Sequence, residues 1–133
     1  MVSDETRDEL EQTLGQVPSF IGSIADQAAD HSWGIMRDFE LGETDLEERE
    51  KALVGLGAAA AIQCPYCVHF HSEEAKLYGV TEEELKEAVT LSGTVRYFST
   101  ILHGSEEPME DFVAETAEIV EHVRSQQAAA GDD

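Results

Sequence analysis

The sequence is short of positive charge. Eight lysines and arginines stand against 29 aspartates and glutamates in 133 residues, a formal net charge of -21. So negative a surface repels phosphate backbones and anionic lipid headgroups, which excludes nucleic acid and membrane surfaces as expected partners. Lysine is confined to Lys51, Lys76 and Lys86, and acidity on this scale reads as adaptation to a salt-rich cytoplasm, where screening quenches self-repulsion. Long apolar runs are missing too. The longest charge-free apolar run, Ala52 to Ile62, falls well short of the roughly 20 residues that cross a bilayer and reads as a buried helix. No basic segment leads into an apolar one near Met1, so no secretory signal is expected and the chain is placed in the cytoplasm. Proline occurs only three times, which disfavours a loop-rich scaffold.

What is present is helical periodicity. Leu10 and Leu14 mark a short charged helix over Ser3 to Leu14, stopped by Gly15 and Pro18 and expected to pack as an arm. Phe20, Ile21, Ile24, Ala25, Ala28, Ile35, Met36 and Phe39 recur at three and four over Ser19 to Glu40, a long amphipathic helix with a possible break at Trp33 and Gly34. Asp45 and Glu48 suggest the cap of a third helix ending at Ile62, apolar nearly all round and therefore central. Cys64 falls at the cap position of a fourth helix, since Pro65 suits its first turn, and Gly79 ends it. Thr81 and Glu84 form a capping box for a fifth helix. Its Tyr97, Phe98 and Ile101 add more apolar surface than one neighbour would cover. A sixth runs from about Pro108 to Gln126. The expectation is an all-α, compact single-domain array of about six helices over residues 1–126, with 127–133 a polar, disordered tail. No strand, internal repeat or linker is read.

Cysteine is scarcer still than proline, and its placement is informative. The only two lie in Cys64-Pro65-Tyr66-Cys67, with His69 and His71 beyond. At about 100° per residue, Cys64, Cys67, Val68, His71, Ala75 and Tyr78 share one helix face, while His69, Ser72, Glu73 and Lys76 occupy the solvated opposite side. A thiol at a helix amino terminus feels unpaired N–H groups that stabilise its anion. Cys67 and His71, four apart on one face, can exchange a proton, which makes Cys67 the expected attacking thiolate. Cys64, one turn earlier, can then close a disulfide on it. Three alternatives stand beside this reading. Free cysteines are often merely small buried apolar residues. A structural zinc usually takes four ligands, and this face offers three, so no metal or other cofactor is expected. Cys-Pro-Tyr-Cys matches the glutaredoxin tetrapeptide, but a helix, not a strand, precedes it. Trp33 is expected buried and His122 exposed, for ordinary reasons.

The stretch from Lys51 through the alanines to Cys64-Pro-Tyr-Cys67-Val-His-Phe-His71, followed by Ala75, Gly79 and the acids Glu82 to Glu84, resembles the core of the alkyl hydroperoxidase D and carboxymuconolactone decarboxylase-like proteins, over roughly residues 45–105. The resemblance implies an all-helical domain assembling into homo-trimers or homo-hexamers. It implies a dithiol enzyme reducing a small-molecule peroxide or a disulfide, re-reduced by an electron-donor protein or thiol. By resemblance Cys67 is the peroxide-reactive cysteine, Cys64 its partner and His71 the histidine of the proton relay. Members commonly carry a glutamate about three turns before the first cysteine, where this chain has Ala52. Glu48, about 5.4 Å earlier on nearly the same face, is the candidate replacement, although a first-turn acid has a simpler role at a helix start; a neighbouring subunit is another source of the carboxylate. Two other readings accompany the resemblance: a decarboxylase-like lyase acting on a lactone carboxylate, with Arg96 the nearby basic residue, and a non-catalytic oligomeric binding module with structural thiols.

Overall fold

A computed structural model describes residues 1–130, in two compact units: Met1–Val89, and the chain from Thr90 onward. Ser3 caps α1 (Asp4–Leu14), its hydroxyl accepting the Thr6 N–H at 3.2 Å, and Gly15 closes the helix at φ 78°. This helix is more than an arm. Leu10 is fully buried with Ile21 and Trp33, and Val2, Val17, Ile24 and Met36 pack around them. The Trp33 indole N–H donates to Glu9 at 2.7 Å, and Arg37 donates to the same carboxylate oxygen at 2.6 Å.

The continuous helix expected over Ser19 to Glu40 is three pieces: a 3₁₀ turn at Ser19–Ser23, α2 (Asp26–Ile35) and a π turn at Met36–Glu40. The break falls at Ile24 and Ala25, both extended, rather than at Trp33 and Gly34. Extended backbone there lets Ile21 and Ile24 both reach the Leu10 cluster, a tertiary gain that periodicity does not register. In the π turn the Leu41 N–H donates five residues back to Met36 at 2.8 Å. The Lys51 ammonium ties its end down, donating to the carbonyls of Phe39 at 2.8 Å and Gly42 at 2.6 Å.

The third helix, α3 (Glu48–Ala61), starts from a capping box of Glu47 and Glu50, not from Asp45 and Glu48. It buries one face through Ala52, Leu56 and Ala59, while Val54 and Ile62 stay exposed, so it is less enclosed than its composition suggests. The next, α4 (Pro65–Leu77), packs along it. Ala52, Leu56, Ala75, Val80 and Leu85 form the second core cluster, with Leu53, Val68 and Ala88 against it. Thr81 and Glu84 cap α5 (Glu82–Gly104) reciprocally, as the sequence indicates.

In the second unit, the rest of α5 and α6 (Met109–Ala130) leave their apolar residues exposed, among them Val95, Tyr97, Phe98, Ile101, Val113 and Ile119. A groove of about 740 Å³ runs between Leu91, Val95, Phe98 and Leu102 on one side and Met109 and Phe112 on the other. Helix α6 continues past Gln126 to Ala130 because alanine, the best helix former, fills its end; residues 131–133 of the expected tail lie outside the described residues. Among the described residues there is no strand, and no helix is long and apolar enough to cross a membrane.

Candidate dithiol site

The site begins where α3 turns into α4. Gln63 adopts a left-handed φ of 59°, which swings the chain round, and Pro65 starts the new helix with Cys64 as its extended N-cap. Cys64 Sγ accepts the backbone N–H of Cys67 at 3.3 Å. One turn on, Cys67 Sγ lies 2.6 Å from Cys64 Sγ. Both cysteines are free and half-buried.

This arrangement makes the two thiols unequal. The backbone N–H on Cys64 Sγ favours an anion there, which leaves the Cys67 thiol as the donor between the two sulfurs. That hydrogen bond from Cys67, then the Cys67 N–H, hold the Cys64 thiol below its ordinary value. Cys67 is pushed up by the same contact, by burial and by the nearby negative charge of Cys64 and Glu40. The spacing to His71 points to an anion on Cys67, whereas the backbone N–H at the cap favours one on Cys64.

His71 sits one turn beyond Cys67, 16% exposed in its side chain. Its Nδ1 is 2.9 Å from Glu74 Oε2, a carboxylate side chain only 8% exposed, and its Nε2 is 4.0 Å from Glu40 Oε1 at the end of the π turn. Phe70 meets the ring edge-on at 5.2 Å between centroids. Gly55 of α3 lies against the ring so closely that a Cβ there would stand 2.6 Å from Cε1 and Nδ1. A side chain at 55 would expel the imidazole from this seat.

Three of the four residues singled out from sequence therefore gather on α4. The fourth, Glu48, does not join them: the carboxylates in ion-pair range of His71 are Glu74 and Glu40. Glu48 instead acts electrostatically on Tyr78, whose phenol is raised by burial and then by the charges of Glu74 and Glu48. The chain itself places two acids beside His71, neither of them at position 52. His69 is exposed. Glu74, Glu40 and Gly55 were missed. Glu74 was within reach of sequence, three residues after His71 on one helix; Glu40 and Gly55 come from other elements and leave no such signal. No three His, Cys, Asp or Glu side chains gather into a metal-binding cluster among the described residues.

Residues 23–106, more than half of the chain, match the carboxymuconolactone decarboxylase family. The chain belongs to that family. The fold of this carboxymuconolactone decarboxylase family member is similar to the crystal structure of the alkylhydroperoxidase AhpD core from Rhodospirillum rubrum, with a TM-score of 0.70 and 23% identity over 82% of this chain and 84% of that one. The AhpD-like, all-α fold expected from sequence is thus borne out. A curated relative, uncharacterized protein 4 in the cox locus of Paracoccus denitrificans, is 30% identical over 60 residues, 45% of this chain and 54% of that protein. The chain spans about half the length of that relative.

Proposed function

We propose that the chain is a dithiol oxidoreductase that reduces a disulfide or a hydroperoxide and cycles through a Cys64–Cys67 disulfide. The observation that carries this reading is the pair of free sulfurs 2.6 Å apart at the start of α4. A disulfide bond is about 2.05 Å long, so closure asks for roughly half an ångström of movement. With a disulfide substrate, the Cys64 thiolate attacks one sulfur and expels the other as a thiolate. The Cys67 thiol then loses its proton to His71 and attacks Cys64, releasing the second substrate thiol. Two electrons leave the dithiol and two thiols form. With a hydroperoxide the first step gives an alcohol and a sulfenic acid, and the second thiol displaces water. A thiol or dithiol reductant of unassigned identity restores the pair. Self-assembly of the chain into a trimer or hexamer belongs to the same reading, and a cytoplasmic setting suits reversible thiols.

The decarboxylase reading that the family name raises is less well supported. An anionic lactone would meet Glu40 and Glu74 at His71.

The test uses reduced protein in high salt, with intact mass and free thiols read after addition of an organic hydroperoxide or a small disulfide. Wild type is expected to lose both thiols with either oxidant, Cys67→Ser to hold a disulfide substrate as a mixed disulfide on Cys64, and Cys64→Ser to react at least tenfold more slowly. Efficient trapping on Cys67 in Cys64→Ser would restore the order of attack that spacing suggests. A wild type inert to both oxidants would make the thiols structural and end the proposal.

A further inference from the structure

We propose that Glu74 is the positioning residue of this site: it holds neutral His71 as the Nδ1–H tautomer, so that Nε2 is the nitrogen that exchanges the proton with the dithiol. The inference rests on the dithiol reading above and adds which nitrogen acts and what fixes it. A carboxylate only accepts hydrogen bonds, so a ring nitrogen 2.9 Å from Glu74 Oε2 must be the protonated one. Neutral imidazole has one N–H, and its lone pair is then on Nε2. That nitrogen stands 4.0 Å from Glu40 Oε1, too far for a hydrogen bond, and its lone pair stays open. Glu40 also acts electrostatically on Cys67, one turn before His71 on the same helix.

An exposed pair three residues apart on a helix is weak and fixes little. This pair differs in being enclosed. Glu74 and His71 are 8% and 16% exposed, and Gly55 presses on the ring edge that carries Nδ1 and Cε1, so rotation of the ring would leave a buried carboxylate without its donor. The proton inventory then closes. Cys67 gives its proton to Nε2, the ring becomes an imidazolium balanced by Glu74, and Nε2 returns the proton to the departing thiolate or alkoxide.

Nitrogen-15 NMR of the His71 ring in the full-length reduced protein, at a pH where the ring is neutral, reads the tautomer. It needs no turnover. Wild type is expected to show Nδ1 protonated and Nε2 bare, and Glu74→Ala to show a mixture. Glu74→Gln keeps the shape and a carbonyl acceptor, so it should preserve the tautomer and guards against loss of fold in the alanine variant. Glu40→Gln should leave the tautomer as it is. Single-turnover closure of the disulfide should slow by about 10- to 100-fold in Glu74→Ala with substrate KM little changed, and recover partly in Glu74→Gln. A wild-type ring protonated on Nε2, or an unchanged tautomer in Glu74→Ala, overturns the role of Glu74 while leaving the dithiol reading intact. The wild-type tautomer as expected, with inert thiols, overturns the proton exchange and the dithiol reading together.

Discussion

At the scale of single residues, the two thiols are chemically unequal because one caps a helix and the other does not. Cys64 takes the Cys67 N–H on its sulfur; Cys67, inside the first turn, spends its proton on Cys64. The pair therefore titrates in opposite directions from the ordinary thiol value of 9.0, Cys64 below and Cys67 above. Because the lowered group is the one whose anion is favoured, alkylation of Cys64 should reach half its maximal rate at a lower pH than that of an ordinary thiol. Cys67→Ala should move that midpoint up, since the side-chain donor is lost while the backbone N–H remains. Cys64→Ala should move the Cys67 midpoint down, since the neighbouring charge is lost. Alkylation rates followed by peptide mass over a pH series check both directions; midpoints that moved together would contradict the cap geometry. Cys64, Cys67 and His71 were legible in the sequence because their relation is local, one face of one helix. Which thiol bears the charge was not, because spacing to His71 and position at the cap point to different sulfurs.

At the scale of elements, caps were more legible than breaks. Ser3, Cys64 with Pro65, and Thr81 with Glu84 each work through hydrogen bonds within three residues, and each starts the helix it was read to start. The break at Ile24 was hidden because Ile21 and Ile24 keep helical spacing on either side of it, and their burial beside Leu10 comes from a distant segment. The α5 and α6 surface raises the converse case, apolar spacing with no partner. Phe98 is 56% exposed and Phe112 40%, and the groove they line has an apolar floor. If a second copy of the chain covers this face, wild type should sediment in high salt as a multiple of the single-chain mass. Phe98→Asp should then weaken association at least tenfold without loss of helicity, because the side chain it replaces is exposed within one chain and a buried unpaired charge is costly. A monomeric wild type would remove self-assembly from the proposal.

At the scale of the whole molecule, charge sets the conditions under which the rest operates. Eight cations can neutralise at most eight of 29 carboxylates, so repulsion among the remainder outweighs the ion pairs present. Those pairs are individually weak: Lys76–Glu73 and Lys86–Glu83 are exposed, and such pairs contribute roughly 0–1 kcal/mol each. Salt acts on both, screening the few attractions and the many repulsions over a Debye length that shrinks from about 10 Å at 0.1 M to about 3 Å at 1 M. With repulsion the larger sum, added salt must stabilise. Thermal unfolding in potassium chloride from about 0.1 to 2 M should therefore show a midpoint rising by more than about 5 °C, which for a chain of this size corresponds to about 1–2 kcal/mol. Most of the rise should come below about 1 M, where screening changes fastest, and sucrose, which is excluded from the protein surface without screening charge, should not reproduce that early rise. A flat response to salt would mean that the carboxylates are spaced widely enough to ignore one another, and the acidity would then need an explanation other than life in concentrated salt.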